Sequence, residues 1–200
     1  MSKPILFIDF YKTLNYDMFW RSLAADKSQE VQEILFKNER ALADDWMRGK
    51  HTAEQINQIV AEKINIPYEQ LWNIFVNDCK NMTVPIGTLE TINSLRQKYL
   101  TILITDNMDN FTRFTLPALK LGDYFDHVVN SYDEKMLKAD NGGELFLKHS
   151  TLHDANIREC LCLDDSNTVY QTFTQLGGKA YLVTPEQDVS YYLGKLSLPT

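Results

Sequence analysis

The sequence predicts a doubly wound parallel α/β sheet interrupted by a small all-helical unit. Three observations carry that prediction. Short apolar runs at Ile5–Ile8, Leu100–Thr105 and Cys160–Leu163 each lead into polar residues, as buried strands of a parallel sheet do. Amphipathic stretches separate the later runs, and strands alternating with helices give a parallel sheet. Residues 15–82 carry helical periodicity alone.

Composition narrows the class. A 200-residue chain is long enough to bury roughly 70% of its unfolded surface. Its 44% hydrophobic and 24% charged content is that of a soluble globular protein. The net charge of −7, with lysines and arginines scattered among acids, argues against a nucleic-acid surface. No window approaches the roughly 20 apolar residues of a membrane span. The apolar start is cut by Asp9 before it reaches the length of a secretory signal. Cys79, Cys160 and Cys162 match no metal spacing and read as buried, reduced thiols. Together these predict a cytoplasmic protein acting on a small molecule, with no nucleic-acid or membrane partner.

In chain order, Ile5–Ile8 is a buried strand that delivers Asp9 at its carboxyl end. Helical spacing then begins with the apolar cluster Met18, Phe19, Trp20 and Leu23. It continues through Val31, Ile34, Leu35, Leu42 and Trp46. Arg48-Gly49-Lys50 breaks the helix and reads as a solvated turn. Thr52 with Gln55 predicts a capping box for the next helix, and Pro67 starts another. From Pro85 the α/β rhythm returns. A helix over Leu89–Tyr99 is followed by the strand Leu100–Thr105, a helix over Phe111–Leu119 and a short strand over Phe125–Val129. Gly142-Gly143 marks a loop. A helix from Glu144, the strand Cys160–Leu163, a helix over Val169–Leu176 and a last strand over Ala180–Val183 complete the pattern.

Three strand ends therefore carry polar groups: Asp9, then Thr105-Asp106-Asn107, then Asp164-Asp165. Lys138 lies in a loop after a fourth strand. In a parallel sheet all of these fall on one edge, where ligands bind. Carboxylates collected there need a cation, and an all-oxygen set suits Mg²⁺ rather than Zn²⁺. A lysine and a hydroxyl beside them suit an anionic substrate, leaving one carboxylate to act as nucleophile.

With those segments in place, the chain resembles the haloacid dehalogenase-like (HAD-like) hydrolase superfamily, and the resemblance covers nearly its whole length. ILFIDFYKTL resembles the first motif, with Asp9 as nucleophile and Thr13 as the motif threonine. LTILITDN resembles the second, with Thr105 as the hydroxyl that meets the substrate anion and Asp106 and Asn107 beside it. SYDEKMLKAD resembles the third, with Lys138 as its lysine. CLCLDDSN resembles the fourth, with Asp164 and Asp165 as metal-site acids. The resemblance implies a Rossmann-like core over residues 1–14 and 83–200 and a helical cap over residues 15–82. It also implies an aspartyl-enzyme intermediate and Mg²⁺ held by Asp9, the Tyr11 carbonyl and a fourth-motif acid, Asp165 first.

One position departs from the phosphatase pattern. Where a second aspartate supplies the general acid–base, this chain has Tyr11. Such a group contributes about 10²–10⁴-fold. Lys12 replaces a glycine of the pattern, and Ala139 a proline. Tyr11 admits three readings. It marks a phosphohydrolase lacking its acid, a 2-haloacid dehalogenase, whose first motif has this tyrosine, or a weakly active binder of phosphorylated ligands. The dehalogenase reading leaves the acid pair without a cation, and its cap arginine is matched only by region, by Arg40 or Arg48. Phosphate-ester hydrolysis is thus the leading expectation. His149 and His153 read as surface histidines, Trp20, Trp46 and Trp72 as core of the helical unit. Tyr191, Tyr192 and Leu193 read as a patch packed on the sheet or on a partner.

Overall fold

A computed structural model describes residues 3–198. Five parallel strands lie in the order β3-β2-β1-β4-β5. In chain order the elements begin with β1 (Ile5–Ile8), α1 (Ala25–Glu33), α2 (Arg40–Met47), α3 (Ala53–Ile64), α4 (Tyr68–Lys80) and α5 (Ile86–Leu95). They continue with β2 (Leu100–Thr105), the single turn α6 (Leu116–Ala118), β3 (His127–Asn130), α7 (Ser131–Glu134) and α8 (Glu144–Leu152). The last are β4 (Leu161–Asp164), α9 (Asn167–Gln175), β5 (Lys179–Leu182) and α10 (Val189–Ser197). Wide π turns at Ile34–Asn38 and Phe111–Thr115 join α1 to α2 and lead into α6.

The central strand is built for burial on both faces. Successive side chains point to opposite sides of a sheet. Leu6 and Ile8 accordingly join the core shared with α1–α5. Ile5 and Phe7 face a second core, where Phe7 meets Phe146 and Phe173 edge to face at 5.2 and 5.8 Å. β1 pairs with β2 on one side and β4 on the other. Strand order therefore reverses between β1 and β4, the place where open α/β sheets bind ligands.

The insert between β1 and β2 holds α1–α4 and packs around an aromatic cluster. Trp20, Trp46 and Phe75 are fully buried with Phe19 among them, and Trp20 Nε1 donates to Asn57 Oδ1 at 3.0 Å. Both halves of the Thr52–Gln55 capping box form. Its connections to the sheet meet at one clasp: Asp17 Oδ2 accepts the amide and hydroxyl of Thr83, and Asn15 Nδ2 donates to the Thr83 carbonyl.

The structure corrects several sequence expectations. Residues 15–24 are irregular, with a turn over Phe19–Ser22, rather than helical, and Trp20 within them takes a left-handed backbone angle that stops regular winding. The short edge strand lies at His127–Asn130, starting two residues and ending one residue later than its apolar pattern placed it. His149 is buried, not at the surface, and Glu134 lies 3.5 Å from its Nε2. Tyr191–Leu193 belong to α10, which packs on α5, and Tyr192 meets the sheet edge as expected: its ring lies 4.9 Å from that of Tyr181 and its hydroxyl donates to the Leu182 carbonyl at 3.1 Å, both in β5. All three cysteines are buried and free, and among the described residues no helix is long and apolar enough to cross a membrane.

Candidate active site

Asp9 stands one residue beyond β1, and its amide donates to the Leu163 carbonyl of β4 at 3.0 Å. That bond sets Asp9 beside Asp164, the last residue of β4. Lys138 reaches between them. Its Nζ lies 2.6 Å from Asp9 Oδ1 and 2.6 Å from Asp164 Oδ2, with all three side chains buried. The second oxygen of Asp164 accepts the Ser166 amide at 2.9 Å. Asp106 completes the floor by accepting the Lys138 amide at 2.8 Å.

One ammonium does not balance these acids. Burial, opposed by Lys138 and reinforced by Asp164, pushes the Asp9 carboxyl up to about 8. Burial also raises Asp106, against the pull of Lys138, and raises Asp165, where Asp164 adds to it. Burial alone would push Lys138 down, but Asp164, Asp9 and Asp106 outweigh it and hold the ammonium above the ordinary lysine range. Oxygens of Asp9, Asp164 and Asp165 all lie within 4.8 Å of one another. Three clustered carboxylates in electrostatic excess fit a hard divalent cation with oxygen ligands, as Mg²⁺ requires.

A cavity of about 370 Å³ opens over these groups. Its sheet-side wall includes Asp9, Tyr11, Lys12, Asp106, Asn107, Lys138, Asp164 and Asp165. The opposite wall comes from the insert, with Met18, Phe19, Gln32, Phe36, Arg40 and Met47. Seven of the nine site residues singled out from the sequence thus meet around one cavity. Thr105 and Thr13 do not reach its wall. Thr105 is fully buried, Thr13 borders a smaller cavity with Asp188 and Thr83, and neither hydroxyl has a hydrogen-bond partner. Asn107 Oδ1 accepts the Met108 amide. Tyr11 is half-buried, and burial with the nearby Asp165 raises its phenol. Lys12, in the place of a glycine, sits at φ 58°, the left-handed region glycine favours.

Sequence reading missed several contributors. Gln32 lines the cavity, and its Nε2 is buried without a partner. Nothing in the polar run of α1 marks Gln32 out from its neighbours Gln29, Glu30 and Glu33. Arg40, which the sequence offered only by region, reaches the wall while its Nε pairs with Asp44 at 2.8 Å. Arg48 is not a solvated turn residue. It forms a bidentate pair with Asp140, Nε to Oδ2 at 2.9 Å and Nη2 to Oδ1 at 2.8 Å. Asp109 accepts from Trp46 Nε1 at 2.7 Å and from the Ala53 amide at 3.1 Å, tying the insert to the segment after β2.

No protein-family model matches the chain, and no curated protein matches it in sequence. Solved structures do match along its length. A HAD family enzyme from Bacteroides thetaiotaomicron, in complex with magnesium and inorganic phosphate, superposes with a TM-score of 0.73 at 20% identity, covering 96% of this chain and 99% of that one. A predicted HAD-like family hydrolase from Porphyromonas gingivalis gives 0.72 at 16% identity, with 100% of both chains covered. An L-2-haloacid dehalogenase from Xanthobacter autotrophicus, with chloropropionic acid covalently bound, gives 0.66 at 11% identity, covering 100% of this chain and 85% of that one. The five-stranded parallel sheet, its helical insert after β1 and these superpositions agree: the chain has the HAD-like hydrolase fold.

Proposed function

We propose that the protein is a Mg²⁺-dependent hydrolase of a small phosphate ester, with Asp9 as nucleophile and residues 15–82 as a cap over the site. The observation that carries this reading is the Asp9–Asp164–Asp165 cluster, with Lys138 bridging its first two members. A dehalogenase has no use for that surplus of carboxylates, whereas a cation and a phosphoryl group relieve it. The magnesium and phosphate in the Bacteroides enzyme of the same fold support the same reading.

Asp9, Asp165 and Asp164 would hold the ion, with the Tyr11 carbonyl as the family pattern implies. Bound Mg²⁺ supplies neutralisation of charge on the phosphoryl oxygens. Lys138 holds Asp9 in place and adds a positive charge beside the substrate anion. An Asp9 oxygen attacks phosphorus, the new O–P bond forms, and the ester O–P bond breaks with its electron pair leaving on the alcohol oxygen. Water then attacks phosphorus, loses its proton to solvent, and releases phosphate with the carboxylate restored. Tyr11 is a poor proton donor for the leaving alkoxide, because burial and Asp165 raise its phenol. Turnover is therefore slow for poor leaving groups and faster for aryl esters, which leave without a proton.

A second reading is 2-haloacid dehalogenation, favoured by Tyr11 beside Asp9 and by Arg40 on the cavity wall. There Asp9 displaces halide from carbon, and water cleaves the resulting ester. Tyr11→Asp separates the two. It raises Mg²⁺-dependent hydrolysis of an alkyl phosphate by about 10²-fold if only the acid is lacking. No gain, together with halide release from a 2-chloro acid by the unaltered protein, favours the dehalogenase.

A further inference from the structure

The segment that carries Lys138 runs from Ser131 to Asp140, and the helical insert grips it at both ends. At its start the Ser131 hydroxyl lies 2.9 Å from the Met47 carbonyl, at the last residue of α2. The same oxygen accepts the Asn107 amide at 3.0 Å, so Ser131 joins the insert to the end of β2. At its finish Arg48 holds both oxygens of Asp140. Between the two grips the backbones nearly touch. Gly49 sits at φ 73°, and a Cβ there would lie 2.7 Å from the Tyr132 carbonyl oxygen.

Asp140 has a second bond. Its Oδ2 also accepts the Leu137 amide at 3.0 Å. The next amide, that of Lys138, donates to Asp106 Oδ1. Two successive amides are therefore fixed by two carboxylates, one standing on the sheet and the other held by an arginine of the insert. We infer that Arg48 is a positioning residue for Lys138: it fixes Asp140, Asp140 fixes the Leu137 amide, and the insert thereby sets where the ammonium meets Asp9. This rests on the proposed role of Lys138, although the geometry stands without it.

The arginine fork suits the task. Two parallel N–H···O bonds fix the carboxylate plane, which a lysine point charge does not. The pair is too exposed, at 29% and 28%, to matter chiefly as a stability element. Its worth lies in orientation, since a misplacement of about 1 Å at a reacting centre costs on the order of 10²-fold.

The test uses Arg48→Ala, Arg48→Lys and the charge swap Arg48→Asp with Asp140→Arg, in the full chain. Two readouts besides melting temperature are needed. One is the ¹H–¹⁵N ammonium resonance of Lys138, the one lysine in the buried set among the described residues. The other is kcat and KM for an aryl phosphate. Arg48→Ala should erase the ammonium resonance and lower kcat about tenfold, with KM little changed. Arg48→Lys should recover part of both. The charge swap should keep a near-wild-type melting temperature yet recover neither other readout, because an arginine at 140 cannot accept the Leu137 amide. A wild-type protein without the resonance, a resonance that survives Arg48→Ala, or a swap that restores every readout overturns the inference. An inactive wild-type protein would overturn the hydrolase reading instead, while the resonance still decides the role of Arg48.

Discussion

The Lys138 ammonium donates to Asp9 Oδ1 across 2.6 Å, bridging residues 129 positions apart in the chain. Asp164 accepts from the same nitrogen. Removing the ammonium leaves the buried Asp9 and Asp164 side chains without their shared partner. Breaking such a buried pair costs on the order of 3 kcal/mol. Lys138→Met should therefore lower the urea midpoint at pH 7 and abolish turnover. An unchanged midpoint at pH 7 would contradict the arrangement.

Mg²⁺ should stabilise the protein through the three acids. A ligand that binds only the folded state adds about 2.7 kcal/mol at 100 times its Kd. Titration with MgCl₂ should raise the melting temperature of the wild-type protein, and Asp165→Asn should remove most of that rise. Equal rises in both would place the ion elsewhere.

Glu54 and His149 contribute acid-sensitive stability in separate pH ranges. The Arg113 guanidinium, hydrogen-bonded to Glu54, holds that carboxyl down at about 2, against an ordinary value of 4.5. A depressed acid contributes its stability above the ordinary value and loses it as pH falls from 4.5 through 2. Burial lowers His149, against the pull of Glu134. Its neutral form is the folded one, so stability falls as pH drops below 6.5 and through the folded value. Urea midpoints measured against pH should show Glu54→Gln flattening the lower range alone and His149→Gln the upper range alone. A His149→Gln profile parallel to wild type would refute the second assignment.

Gln32 keeps a buried donor without a partner on the cavity wall. An unsatisfied buried group costs about 1–3 kcal/mol. Gln32→Leu should raise the urea midpoint of the free protein and raise KM for any substrate whose acceptor meets that donor. A lower midpoint would mean that the amide is satisfied in solution.

The sheet was legible because its strands are buried on both faces, so Ile5–Ile8 and Leu100–Thr105 read as unbroken apolar runs. The acids around the cavity were legible because parallel strands deliver their ends to one edge, so Asp9 and Asp164 meet whatever lies between them. The two threonines show where that logic stops. A strand end fixes position along the strand but not which way a side chain turns, and neither threonine lines the cavity over Asp9. Partners across the chain were equally hidden. Arg48 next to Gly49 looks like a turn in one dimension, and only the packing of α2 against the Ser131–Asp140 segment reveals Asp140 opposite it. His149 read as a surface residue because no acid or cysteine near it in sequence completes a site with His153, yet α8 turns it inward toward Glu134.

The central claim is that Asp9 becomes covalently phosphorylated. The direct measurement is borohydride trapping during turnover of an aryl phosphate with Mg²⁺, followed by peptide mass spectrometry. Reduction of an aspartyl phosphate at Asp9 is the expected result, absent from Asp9→Asn and absent when the metal is chelated. An unmodified Asp9 during turnover, or phosphate release undiminished in Asp9→Asn, would contradict it.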